Sequence, residues 1–265
     1  NHLRQMIKSD DDCVLEHRYE DGDKAEPLHF YPILPLWLIN GSVGIGTGHS
    51  VKILPRDPEK VSELIRKMAN RTTPQQKTIE ESLTPVFCGW TGKVVTSEEV
   101  VEGRYEIHGV LEKVNTTTVN VTELPVGYGV DKFKAILVDL MDKGQVKDFD
   151  NNSTEQGFDF EITVPREIGK KSHSELMKLF KLIVRMTENI TLWTVDNQLK
   201  RYDHMYDALK DFVQYRLDRY EDRRLKHIDI LSEDKSFLED KLKFILKWNS
   251  FDNAGKMKTS TIEKA

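Results

Sequence analysis

Hydrophobic and polar positions change their spacing several times along the chain, and each change predicts an element. Behind Asp57-Pro58, the residues Val61, Leu64, Ile65 and Met68 fall at helical spacing, so residues 58–69 are expected to form a helix. Aspartate supplies its N-cap and proline its first helical position. Residues 130–143, VDKFKAILVDLMDK, repeat that spacing and stop at Gly144. A further helix is expected over about 172–186. Between 85 and 165 the period shortens toward two: GKVV, RYEIHGVL, TTTVNVTEL and DFEITV alternate or run β-branched between glycine and polar turns, which predicts strands. NITLWTVD adds a strand that turns at Asp196-Asn197 into LKRY. At the start, SDDD and YEDGDKAEP predict an extended acidic approach segment over residues 1–27 with no packed core. PLHFYPILPLWLI is apolar, but Pro32 and Pro35 make it irregular or a sheet edge.

From Met205 to about Trp248 the pattern changes again. The stretch is highly charged and lacks glycine and proline, with apolar residues at Leu217, Tyr220, Ile228, Leu231, Leu238, Leu242 and Ile245. The later members keep the three-four spacing of a coiled-coil seam. A continuous helix of this length would run roughly 65 Å at ~1.5 Å per residue, so it is expected to project as an arm. Its single apolar stripe requires a partner helix, whereas NSFDNAGKMKTSTIEKA reads as a turn and a polar tail. Either a partner chain supplies the second helix or this chain is cut short.

Composition narrows the classes. The 265 residues leave room for one sizeable core or two domains, and 38% hydrophobic against 31% charged residues suits a well-solvated surface. No apolar run approaches the ~20 residues of a membrane-spanning helix, and the polar start NHLRQMIKSDDD is no signal peptide. Cys13 and Cys88 have neither metal-ligand spacing nor a disulfide framework, which favours a reducing compartment. In that setting the Asn-x-Ser/Thr matches at Asn70, Asn115, Asn120, Asn152 and Asn189 are chance. The net charge of −5 excludes a chain-wide basic footprint, so any nucleic-acid role must use a local patch or a basic module elsewhere.

The most informative stretch is Asn40–Ser50, NGSVGIGTGHS, where Gly41, Gly44, Gly46 and Gly48 surround Ile45. A dinucleotide fingerprint fits Gly44 and Gly46 but meets His49 at its third position, and a phosphate loop would need a lysine where His49 follows Gly48. A plain tight connection explains the glycines, through positive φ or close backbone approach, but leaves Ile45 without a reason.

FYPILPLWLINGSVGIGTGHSVKILP closely resembles the segment that follows the active-site tyrosine in type II DNA topoisomerases, with a Pro-Ile-x-Pro run, Asn-Gly, Gly-Ile-Gly-Thr-Gly and a following proline. TTTVNVTELPVG resembles the strand ending in Glu-Leu-Pro of that family's tower domain, and LKRYDHMYDALKDFVQYRLDRYEDRR its passage from the tower into the coiled-coil arm. The blocks stand in the family's order and span essentially the whole chain, nearer the eukaryotic and large-phage branch than bacterial gyrase.

The resemblance implies an α+β fold: residues 1–84 as the end of the DNA-gate (winged-helix) region, 85–204 as the tower, and 205–265 as the outgoing arm toward the exit gate. It implies a role in the cleavage and religation core of an ATP-dependent isomerase that changes DNA topology. Ile45 would be the wedge that enters between base pairs of the gate duplex and kinks it. Gly44 and Gly46 would clear the approach, and Thr47, His49, Lys52 and Arg56 would lie along the duplex. The implied partners are double-stranded DNA, a second copy of the same subunit, and an ATPase and metal-binding acidic domain or subunit. Mg2+ and ATP would be used there, with no cofactor in this chain. The implied location is intracellular: the nucleus if eukaryotic, the bacterial host cytoplasm if phage.

The family's nucleophile is a tyrosine preceded by arginine. Arg18-Tyr19, Arg104-Tyr105, Arg201-Tyr202 and Arg219-Tyr220 are Arg-Tyr pairs at the wrong distance from Asn40-Gly41, so the nucleophile is expected upstream of Asn1 and this chain is expected to be inactive alone. Asp10, Asp11 and Asp12 suggest a metal site by composition only and read as a solvated linker. Two alternatives stay open: a non-enzymatic coiled-coil assembly protein whose glycine loop is merely a turn, and an autonomous nucleotide-dependent enzyme.

Overall fold

The computed structural model describes residues 2–96, 103–155 and 157–249. In chain order the elements are α1 (His2–Met6), a 3-10 turn (Ser9–Val14), β1 (His17–Glu20), β2 (Asp23–Pro27), α2 (Leu36–Ile39), β3 (Ser42–Gly46), β4 (His49–Ile53), α3 (Pro58–Ala69) and α4 (Gln76–Leu83). There follow β5 (Lys93–Val95), β6 (Arg104–His108), β7 (Val110–Lys113), β8 (Thr118–Glu123), α5 (Val130–Asp142), β9 (Asp148–Asn151), β10 (Phe160–Thr163), α6 (Arg166–Gly169) and α7 (His173–Leu179). The chain closes with β11 (Ile183–Thr187), β12 (Ile190–Trp193), β13 (Leu199–Tyr202) and the long α8 (Met205–Asn249). All strand pairs are antiparallel and form sheets β7-β8-β10-β9, β11-β6-β5, β12-β13, β3-β4 and β1-β2. This is the α+β class expected from the sequence, ending in a long helix. The polar tail expected beyond the arm lies outside the described residues.

Two compact units emerge: Pro35–Asp211, and Asn1–Leu34 with Phe212–Ala265. The boundary expected at 84/85 does not separate them, because Arg56 and Pro85 form a β-bridge and Val86 donates to the Pro55 carbonyl within the larger unit.

The core of the larger unit is built from the alternation noted above. On β8 the valines Val119 and Val121 point inward, and on β10 Phe160 and Ile162 do. α5 lays Phe133, Ile136, Leu137 and Leu140 on them, with the Phe133 and Phe160 rings edge to face at 5.0 Å. The Glu-Leu-Pro corner is tied down by polar contacts. Glu123 is buried and accepts from the Thr91 N–H (3.0 Å) and hydroxyl (2.9 Å), while the Trp90 indole donates to the Leu124 carbonyl at 2.8 Å.

Local chemistry fixes the helix ends. The Asp57 carboxylate accepts the Glu59 N–H at 2.9 Å, which starts α3, and Gly144 at φ 69° follows the end of α5. α7 begins with a capping box in which Ser172 and Glu175 satisfy each other's backbone donors. Ser172→Ala should therefore cost about 1 kcal/mol, read as a lowered urea midpoint at unchanged slope. The helix expected over 172–186 is shorter than its apolar spacing suggested. It ends at Leu179, Lys181 takes φ 53°, and Ile183–Thr187 pairs instead with β6. A β-branched run that finds the open side of β6 gains ladder bonds unavailable to a lone helical turn, so tertiary pairing overrides the helical period.

The smaller unit departs most from expectation. The segment expected to be extended and without a packed core over residues 1–27 instead contains α1, the 3-10 turn and the β1-β2 hairpin. Asp10 and Asp12 are exposed, whereas Asp11 is 2% exposed and receives hydrogen bonds from Arg216 and Arg223. An acid so deeply buried requires paired cations, and the arginines of α8 provide them. Farther along α8 the stripe Leu225, Ile228, Leu231, Leu238, Leu242 and Ile245 lies exposed on the helix. Among the described residues no helix is long and apolar enough to cross a membrane.

Candidate nucleic-acid interface

The glycine-rich stretch forms a β-hairpin. β3 and β4 pair Ser42 with Ile53, Val43 with Lys52, Gly44 with Val51, Ile45 with Ser50 and Gly46 with His49, leaving Thr47-Gly48 as the turn. Gly48 supplies its positive φ of 81°. At Gly44 a Cβ would press to 3.2 Å on Val51 Cγ1 across the ladder, so the missing side chain lets the strands close.

The register assigns faces. Val43, Ile45, Ser50 and Lys52 share one side, and Ile45 is 93% exposed, Val43 76%. Lys52 is half-buried on the Ile45 face, whereas His49, exposed near the tip, belongs to the opposite one. Thr47 is exposed at the turn. Five of the residues expected to meet a duplex thus sit at one tip: Gly44, Ile45, Gly46, Thr47 and His49. Lys52 stands farther down the strand.

Arg56 does not join them, contrary to expectation: it is 2% exposed inside the larger unit. Its Nη1 and Nη2 form a fork on Glu188 at 2.8 and 2.7 Å. Nε donates to the Leu83 carbonyl, Nη1 also to the Leu54 carbonyl and Nη2 to the Tyr105 hydroxyl. All five guanidinium N–H donors are used, so none is left for a phosphate. The sequence showed a cation a few residues beyond a glycine-rich stretch; the carboxylate that internalises it lies 132 residues away.

The residue after Glu188 secures the free edge of the hairpin. Asn189 and Lys52 exchange backbone hydrogen bonds at 2.9 Å in both directions. The Asn189 amide nitrogen donates to the Ser50 carbonyl at 2.7 Å and to its hydroxyl at 2.8 Å, and Thr191 donates to the Asn189 amide oxygen at 3.3 Å. Alternation along β12 carries the same face on to Trp193, 71% exposed, and across β13 to Arg201. β13 is fastened to the first turns of α8, where the Lys200 amine (2.6 Å) and Tyr202 hydroxyl (2.8 Å) meet Asp211. The Lys200 hydrogen bond holds the Asp211 carboxyl below the usual carboxylate range, and burial pushes the Tyr202 phenol up. Sequence reading missed Val43, Glu188 and Asn189. For Val43 alone a signal existed, an apolar residue two positions before Ile45.

Among the described residues no group of three or more His, Cys, Asp or Glu side chains is placed to hold a metal ion. Asp11 is committed to arginines instead, so the aspartate run does not fit a magnesium site. What the hairpin offers is mechanical: an exposed apolar side chain on a braced, slim ribbon.

Comparison with known proteins gives this geometry its context. The DNA topoisomerase 2 of Plasmodium falciparum is 31% identical over 251 residues, covering 92% of this chain and 17% of that protein. The DNA topoisomerase 2-alpha of Rattus norvegicus is 32% identical over 251 residues, covering 92% and 16%. A crystal structure of the Plasmodium falciparum topoisomerase II DNA-binding, cleavage and re-ligation domain superposes with a TM-score of 0.79 at 30% identity, covering 98% of this chain and 35% of that one. The chain therefore spans less than a fifth of the length of these two relatives. The family model for the DNA gyrase/topoisomerase IV A-subunit matches residues 1–265, and the chain belongs to that family.

Proposed function

We propose that this chain is part of the DNA-cleavage and religation core of an ATP-dependent type II DNA topoisomerase, and that its β3-β4 hairpin binds and bends the gate duplex. The observation that carries the reading is Ile45, 93% exposed on a hairpin braced along its outer edge. Val43 beside it on the same face is exposed as well, and such an apolar pair in water suits an apolar partner. The gap between stacked base pairs is one. Unstacking a step costs a few kcal/mol, offset by the contacts a bent duplex permits. Gly44 and Gly46 keep the ribbon slim enough to approach, and Lys52 on the Ile45 face and His49 at the tip face phosphates.

In this reading residues 1–84 with the hairpin belong to the DNA gate, the sheets of 85–204 act as the tower, and the exposed stripe of α8 pairs with a return helix of the arm. The assembly contains two copies of the subunit. ATP and Mg2+ act on an ATPase and a metal-binding acidic domain or subunit, together with a tyrosine nucleophile outside these residues. It works where intracellular DNA is, in the nucleus if the source is eukaryotic.

The test is Ile45→Ala in the complete protein. Losing three carbons of apolar contact withdraws ~2 kcal/mol, which shifts the bent-to-straight population of the duplex roughly thirtyfold. End-labelled duplex fluorescence should show the loss of bending, and cleavage should fall with it. Binding should persist and keep its steep dependence on salt. Unchanged bending removes the wedge role.

A further inference from the structure

The hairpin that carries Ile45 has a mechanical problem. An isolated two-stranded ribbon is marginal in water, yet a side chain that separates stacked base pairs is pushed back by the stacking it disrupts. The ribbon must be held from the side, and the hydrogen bonds on the free edge of β4 show where. That edge meets Asn189, which is bound to it at Ser50 through two side-chain contacts of 2.7 and 2.8 Å and at Lys52 through a reciprocal backbone pair of 2.9 Å.

Asn189 is itself immobilised. Its neighbour Glu188 has a side chain only 1% exposed, receives the fork of Arg56, and accepts the Leu54 N–H at 2.6 Å. The Glu188 N–H is bound to the Gly103 carbonyl at 2.7 Å. Two consecutive residues therefore hold β4 at two levels, Ser50 opposite Ile45 and Lys52 opposite Val43, and hold Leu54 just beyond its end. Ser50 is the cross-strand partner of Ile45, so a shift at the amide contact passes directly to the wedge.

We infer that Asn189 is a positioning residue that fixes the aim of the Ile45 hairpin against the duplex, with the buried Glu188–Arg56 pair as its anchor. This rests on the reading of Ile45 as a wedge. Asparagine suits the role because one planar amide donates to both Ser50 oxygens while accepting from Thr191. An aspartate of the same shape would set a carboxylate oxygen against the Ser50 carbonyl and repel it.

The experiment is a cycle in the complete protein with Asn189→Asp, Ile45→Ala and both together, measuring duplex bending and affinity at one salt concentration. Asn189→Asp should lower the bent fraction at least about tenfold, in keeping with the sensitivity of positioned groups to displacements near 1 Å. Its affinity should change less than about threefold, because phosphate contacts supply most of that. In the Ile45→Ala background the same substitution should have no further effect on bending, since a wedge without its tip loses nothing more by being misaimed. A merely structural role would make the two losses multiply. If Asn189→Asp lowers the folded fraction, Thr191→Val, which releases the amide oxygen, carries the same test with a smaller loss of bending. Normal bending by Asn189→Asp beside a defective Ile45→Ala overturns the positioning role alone. Normal bending by Ile45→Ala overturns the wedge reading and this inference with it.

Discussion

Glu188→Ala should destabilise the larger unit by about 3–5 kcal/mol, the usual loss when one partner of a buried ion pair is removed. The carboxylate accepts both arms of the Arg56 fork and the Leu54 N–H, and both charged side chains are essentially without solvent contact, at 0% and 1% exposed. Truncation leaves the guanidinium buried among the Leu54 and Leu83 carbonyls and the Tyr105 hydroxyl, which hydrogen-bond it but carry no compensating charge. For a unit of this size such a loss lowers the melting temperature by roughly 6–20 °C. The double substitution Arg56→Met/Glu188→Leu removes both charges and should recover much of it, because an apolar pair of similar volume is often neutral or better. Urea midpoints of the three variants at a common slope would decide the matter. A loss under about 1 kcal/mol for Glu188→Ala would show that water reaches the pair.

The same pair shows where sequence reading stops. α3 and α5 were legible because their determinants are local: an aspartate cap, a first-position proline, an apolar stripe at 61, 64, 65 and 68, a glycine after the last turn. The valine and isoleucine strands of the sheet β7-β8-β10-β9 were legible for the same reason. β3 was not, since two of its five residues, Gly44 and Gly46, are glycines, which lower strand propensity, and nothing local shows that a side chain at Gly44 would crowd Val51 on the facing strand. Arg56 looked like a contact to the duplex and Asp11 like part of a solvated linker. Each is buried by a partner from a distant part of the chain, Glu188 in one case and Arg216 in the other, and spacing carries no trace of such pairings. The segment over 183–187 had apolar residues compatible with two periods, and the partner strand β6 chose between them. For the candidate site the outcome is divided in the same way. The tip with Ile45 is a local motif and could be seen, whereas the residues that hold it, Glu188 and Asn189, arrive by long-range contact.

Gly41 should be the other costly position, and it too concerns the hairpin. Its φ is 73°, where a residue with a Cβ costs about 1–2 kcal/mol. A Cβ built there would also lie 2.7 Å from the Ile53 carbonyl oxygen, 3.1 Å from the Pro55 nitrogen and 3.2 Å from Pro55 Cδ. These atoms cannot retreat cheaply, because the neighbouring residues Leu54 and Arg56 are held by Glu188 and the Arg56 N–H is bound to the Leu38 carbonyl at 3.1 Å. Overpacking of this kind adds typically 1–3 kcal/mol, so Gly41→Ala should lose roughly 2–5 kcal/mol in all. Gly48 is the internal control. It has a similar φ of 81°, but a methyl group there would meet no atom within 4 Å, so Gly48→Ala should carry only the backbone part, about 1–2 kcal/mol. Relief of the Gly41 clash can come only by displacing the base of β3, which moves Ile45 as well. Gly41→Ala should therefore lose bending of the duplex in addition to stability, while Gly48→Ala, at the turn beyond the wedge, loses stability with a smaller change in bending. Equal urea midpoints for the two variants would mean that the crossing at Gly41 is looser than its contacts imply.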